Sequence, residues 1–252
     1  METIEELRKI CQPEKVLNRG DESWYSKYFV RKFSIYLTYF FIKLKISANQ
    51  ITYLGFIFFI IGSVFLATSL KWLVLFGALF FHIFSILDSV DGELARYYKK
   101  KSILGAYLEK MSHSIIIPVM FLSLGINSYL ISENISYLFF SISAMLAFLW
   151  SFAVTENKNS LYFEKNIKNI SKETEQKNKV LNLGLKIFGL ATILVIIFLL
   201  SIINLVYKSM FFYNIPIFGL ILIFYGIFAH IPWVYSLIKN IVNDNISKLT
   251  TF

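Results

Sequence analysis

The apolar residues of this chain gather into runs at 51–70, 72–95, 103–126, 135–155, 182–206 and 211–238, divided by short polar or charged breaks. Each run is long enough to cross the ~30 Å hydrocarbon core of a bilayer as a helix, which takes roughly 20 residues. The pattern predicts an all-α polytopic membrane protein with six transmembrane helices. A further apolar stretch, 29–45, is short and carries Arg31 and Lys32 at one end and Lys43 and Lys45 at the other. Positive charge at both ends opposes crossing. We read this stretch as an amphipathic helix lying in the cytoplasmic interface, its basic residues snorkelling toward lipid headgroups. Residues 1–28 then form a cytoplasmic N-terminal segment, 29–240 the membrane domain and 241–252 a cytoplasmic tail.

Composition sharpens this picture. With 252 residues, 56% of them hydrophobic, and a mean hydropathy of +0.61, six spans leave no room for a large extramembrane catalytic domain, so chemistry must sit within or just beneath the bilayer. A formal charge of +9 would suggest nucleic-acid binding in a soluble chain. Here 22 of the 25 Lys and Arg residues fall on one side of the six-span arrangement. By the positive-inside rule that places both termini in the cytoplasm, with membrane lipids rather than nucleic acid as the partner of the charge. The first twenty residues are charged and lack an apolar core, so no cleavable signal peptide is expected. Cys11, the one cysteine, reads as an inert thiol on a cytoplasmic tail. His82 and His230 lie on apolar runs and read as core or interfacial histidines.

The chemistry concentrates in LDSVDGELARYYKKKSILGAYLEKMSHS, residues 87–114. Asp88 and Asp91 are three apart, hence on one helical face, at the end of an apolar helix that begins near Trp72. After a basic turn, Glu109 and His113 are four apart and again share a face. Helices joined by so short a connection are expected to be antiparallel neighbours. If both faces turn inward, three carboxylates and an imidazole converge near the cytoplasmic surface, an oxygen-rich set suited to Mg2+ or Mn2+. The alternative is structural: Asp88 and Asp91 could pair with Arg96 and the adjacent lysines, and Glu109 with Lys110 or another helix. Ionisable groups at membrane depth are costly, which favours function when four occur together. Gly92 and Gly105 could admit a ligand close to the backbone or serve helix packing.

Residues 88–113 resemble the signature of the CDP-alcohol phosphotransferase (CDP-alcohol phosphatidyltransferase) family, D-x2-D-G-x2-A-R-x8-G-x3-D-x3-D. Asp88, Asp91, Gly92, Ala95, Arg96 and Gly105 match at the required spacing, while Glu109 and His113 stand at the last two aspartate positions. ISANQIT, residues 46–52, resembles the family's P-N-x2-T at the start of its first span, with Ala48 in place of Pro. The resemblance implies metal ligation by Asp88, Asp91 and Glu109, His113 as the base toward the acceptor hydroxyl, and a nucleotide side lined by Asn49, Thr52, Gly92, Ala95, Arg96 and Gly105. It implies transfer of a substituted phosphate from a CDP-linked donor to a hydroxyl acceptor, one of them a lipid, with CMP released, and a homodimer. Two other classes remain open on the residues alone: a degenerate relative that binds nucleotide or lipid without turnover, and a transporter using the four ionisable groups as an ion or proton relay.

Overall fold

The structure is a computed structural model that describes residues 2–14, 23–100, 103–164, 189–206, 211–212 and 215–249. Helix α1, Ile4–Cys11, opens with a capping box: Thr3 N–H donates to Glu6 Oε2 at 2.8 Å and Glu6 N–H to Thr3 Oγ1 at 3.3 Å. A π-helical turn, Ser26–Val30, leads into α2, Arg31–Lys43. Helix α2 stops where Lys45 turns left-handed at φ 55°, so that Ile46 N–H reaches Phe41 O and Lys45 N–H reaches Ile42 O. That pair of bonds satisfies carbonyls the helix end would otherwise orphan. Ser47 then caps α3, Ala48–Leu66, through a second capping box with Gln50. Helix α4, Lys71–Tyr97, ends as α2 does, on a left-handed Lys99 with Lys100 N–H bonded to Ala95 O.

Helices α3 and α4 pack closely because glycines meet at the crossing. A Cβ on Gly77 would lie 2.7 Å from Leu66 N and 2.8 Å from Gly62 O, so no side chain fits there. Toward the N-terminal end of α3 and the C-terminal end of α4, Ile51, Leu87, Val90 and Leu94 form a buried cluster against which Leu37, Phe41 and Ile42 of α2 pack. Helix α5, Ile103–Ser132, runs on through Pro118, whose missing N–H removes one rung without ending the helix. Helix α7, Leu190–Val206, packs on α4, with Phe198 edge-on to His82 at 5.1 Å. These elements, up to Ile116 and again from Leu190, make one compact unit.

The second unit begins at Ile117 and contains α6, Ser136–Glu164, a two-residue antiparallel pair of β1, Phe211–Phe212, with β2, Ile215–Pro216, and helices α8, Gly219–Phe228, and α9, His230–Leu249. Ser143 Oγ donates to Gly226 O at 2.7 Å and lies 3.1 Å from His230 Nε2, while Trp233 Nε1 donates to His230 Nδ1. His230 is thus a packing histidine. His82, paired with the Tyr25 hydroxyl and Phe198, is likewise a packing histidine.

The protein is an all-α polytopic membrane protein. Among the described residues five helical segments are long and apolar enough to span: Ala48–Leu66, Lys71–Tyr97, Ile103–Ser132, Ser136–Asn157 and Gly219–Lys239. Their outer faces carry exposed Ile57, Ile60, Val64, Phe139 and Trp72, the surface expected of lipid contact. Of the expected fifth run, residues 182–188 lie outside the described residues, and the described helix, 17 residues long, is shorter than the roughly 20 residues of a full crossing. The last run differs in detail. It starts its helix only at Gly219 and breaks at Ala229, because Pro232 has no N–H to give Phe228 O and its ring would crowd that carbonyl.

Candidate active site

Within the first unit the last three turns of α4 carry the motif from Asp88 to Arg96. Thr52, on the second turn of α3, donates its hydroxyl to Asp91 Oδ2 at 2.7 Å, with Ala48 O as a second acceptor at 3.2 Å. The Gly92 backbone N–H also serves the Asp91 carboxylate. Asp88, one turn earlier, is within electrostatic reach of His113, Glu109 and Arg31, and Asp91 within reach of Asp88 and Glu109. Both aspartates are half-buried, whereas Glu109 and His113 are exposed on α5. The structure therefore brings Thr52, Asp91 and Asp88 together and sets Glu109 and His113 as a looser second layer. Among the described residues no three His, Cys, Asp or Glu side chains close into a cluster able to hold one ion. The oxygen donors brought together, two carboxylates one turn apart of which Asp91 is oriented by hydrogen bonding, fit the first half of a Mg2+ or Mn2+ site that substrate oxygens and water would complete.

The remaining expected residues fall near this pair. Asn49 lies on the first turn of α3, half-buried, and Ala95 is half-buried on α4. Gly105 is half-buried on the first turn of α5. A Cβ on Gly92 would sit 3.4 Å from Arg96 Nη1, so the Arg96 side chain lies back over Gly92. Arg96 Nε donates to Cys11 O at 2.6 Å, turning this motif arginine toward α1.

Sequence reasoning missed the most heavily bonded group of the region. Glu93, inside the motif's variable pair, is 0% exposed. Its Oε1 accepts from Gln12 Nε2 at 2.8 Å and Ser34 Oγ at 2.6 Å, and its Oε2 from Thr38 Oγ1 at 2.6 Å. Arg31 Nη1 completes the shell at 3.5 Å, its side chain only 14% exposed. Two expectations are corrected here. Arg31 points inward to a carboxylate instead of snorkelling to headgroups. Cys11 is no tail thiol: it is 0% exposed, packed with Leu7 and Ile35, and burial followed by nearby Glu93 pushes its thiol up to about 12. A third carboxylate within six residues of an apolar helix, with Ser34 and Thr38 four apart among aromatics, was the signal available.

Paired aspartates thus stand near the C-terminal end of a helix long and apolar enough to cross a membrane. The sequence model of the family described as CDP-alcohol phosphatidyltransferase matches residues 45–223, well over half of the chain, and the chain belongs to that family. It is accordingly a membrane transferase of a family that moves phosphate-linked head groups in lipid synthesis and is generally dependent on divalent metal. No curated protein sequence matches the chain.

Proposed function

We propose that the chain transfers a substituted phosphate group from a CDP-linked donor to an acceptor hydroxyl, releasing CMP, with Mg2+ or Mn2+ held by Asp88, Asp91 and Glu109. The observation that carries this reading is the Asp88–Asp91 pair, with Asp91 oriented by Thr52 and with Glu109 and His113 in electrostatic reach of Asp88. A divalent cation held there by Asp88, Asp91 and Glu109 would supply the positive charge that neutralises the donor pyrophosphate and stabilises the phosphate of departing CMP. Thr52 and the Gly92 N–H keep Asp91 from rotating away, so its orientation is set before substrate arrives. The acceptor oxygen bonds to the donor's outer phosphorus as the bond from that phosphorus to the bridging oxygen breaks. The electron pair leaves with CMP, and His113 takes the acceptor proton. No covalent enzyme intermediate is required. Exposure of His113 on α5 leaves it open to an incoming hydroxyl. Asn49, Ala95, Arg96 and Gly105, with Thr52 and Gly92, border the nucleotide.

A site at the end of a span suits one lipid and one soluble substrate, and the one-sided charge supports cytoplasmic termini and a cytoplasmic site. A reporter after Phe252 and another in the turn around Glu133 are expected in opposite compartments; the same compartment would overturn that orientation. For the reaction, purified protein with Mn2+ is incubated with CDP-linked donors and a membrane extract while CMP is measured. Asp88→Asn or Asp91→Asn abolishes CMP release with the fold retained in detergent. Near-wild-type turnover in either ends the proposal. Thermal protection by CDP without CMP release would assign a binder, and no nucleotide dependence would favour a transporter.

A further inference from the structure

Two turns of α4 carry carboxylates on two faces. Asp88 and Asp91 share one, whereas Glu93, five residues after Asp88, is rotated about 140° from it. Glu93 binds groups from both preceding helical segments: Gln12 directly after α1, and Arg31, Ser34 and Thr38 of α2. Gln12 Nε2 also reaches Arg31 O at 2.8 Å, so α1 and α2 are tied to each other as well as to α4. Two further bonds dock α1 on the same end of α4: Arg96 Nε to Cys11 O at 2.6 Å and Tyr97 OH to Glu2 Oε2 at 3.1 Å. Leu7 and Cys11 pack with Ile35, and Tyr97 lies against them. An isolated helix of eight residues is marginal in water, so the order of α1 depends on this docking. A carboxylate buried with three neutral donors and one cation is costly to form and costly to disturb.

We infer that Glu93 is a positioning residue for the transfer reaction: it clamps α1 and α2 onto the back of the site helix, making residues 2–14, which lie outside the family match, part of the catalytic unit. The positioning half of this inference rests on the function proposed above. Glu93 touches no reacting atom. It sets the rotation and depth at which α4 presents Asp88 and Asp91 toward Thr52, and misplacement by about 1 Å at a reacting centre can cost on the order of a hundredfold in rate.

Cys11 lies in the seam between α1 and α4 and reports its opening. The full-length protein in detergent is treated with a maleimide under native conditions, and kcat and KM for the CDP donor are measured in parallel. Glu93→Gln, Gln12→Leu and the isosteric Thr38→Val are expected to label at Cys11 roughly tenfold faster and to lose about tenfold in kcat with KM little changed, the factor one hydrogen bond to a charged group is worth. Thr38→Ser, which keeps the donor, matches wild type in both readouts. Should Glu93→Gln fail to fold, Thr38→Val and Gln12→Leu, which leave the carboxylate and its other partners in place, decide the matter. Unchanged labelling in both would overturn the docking role, and faster labelling with unchanged kcat would overturn the positioning role. A wild type that releases no CMP, yet has a protected Cys11 that these variants expose, refutes the proposed reaction while upholding the docking.

Discussion

The Thr52 hydroxyl is the smallest group whose removal tests the site. Thr52→Val keeps the shape of the side chain and deletes the 2.7 Å bond to Asp91 Oδ2. The hydroxyl has one proton and two acceptors, and the shorter bond ends on the carboxylate rather than on Ala48 O at 3.2 Å. A hydrogen bond to a charged group contributes about 1.5–3 kcal/mol. Asp91 retains the Gly92 N–H, which places the loss near the lower end, about 1.5 kcal/mol. At 1.36 kcal/mol per factor of ten, kcat/KM for metal-dependent CMP release falls about tenfold. Thr52→Ser restores the donor and recovers most of it. The assay is initial CMP release across a Mn2+ titration, since a freely rotating Asp91 also raises the metal concentration needed for half-maximal rate. A Thr52→Val protein with wild-type kcat/KM and an unshifted metal titration would refute the claim that Asp91 is held for catalysis.

His113→Ala is expected to lose turnover while keeping its affinity for CDP by calorimetry, and His113→Asp, the family's own residue at that place, to recover part of it; an Ala variant with full turnover contradicts the base assignment. Gly77→Ala places a Cβ 2.7 Å from Leu66 N, and overpacking of this kind costs about 1–3 kcal/mol, read as a lower melting temperature in detergent; an unchanged melt contradicts the tight α3–α4 crossing. Burial pushes the Cys11 thiol up to about 12, whereas an undocked segment releases its proton near the free value of ~8.5. The docked form is therefore fully favoured below ~8.5 and loses that stability as pH rises toward about 12. Wild type should lose melting temperature relative to Cys11→Ala between about pH 8 and pH 10, and parallel curves would contradict the buried thiol.

Five of the six expected spans were legible because bilayer thickness imposes a length on an apolar run, and the capping residues Ser47 and Gln50 mark where α3 begins. The Asp88–Asp91 pair was legible because helical spacing alone places the two on one face. Thr52 was singled out by resemblance, but its role as the donor to Asp91 joins residues 39 apart in sequence, which no local pattern displays. Glu93 was hidden by its neighbours: beside two candidate ligands it reads as one more helix-end charge, and only the return of α1 and α2 against α4 gives it four partners. Arg31 was misread for the same reason, since a basic residue flanking an apolar stretch belongs at the headgroups unless a buried carboxylate waits across the helix. The break at Ala229 follows from Pro232 and could have been anticipated from the sequence.

Release of CMP on mixing the purified chain with Mn2+, a panel of CDP-linked donors and a membrane extract, with the product identified by mass spectrometry, tests the central claim most directly. The account predicts CMP and a new phosphodiester product in equal amounts, dependent on divalent cation and absent in Asp88→Asn. CMP release that persists in Asp88→Asn, or nucleotide binding with no product from any donor, would contradict it.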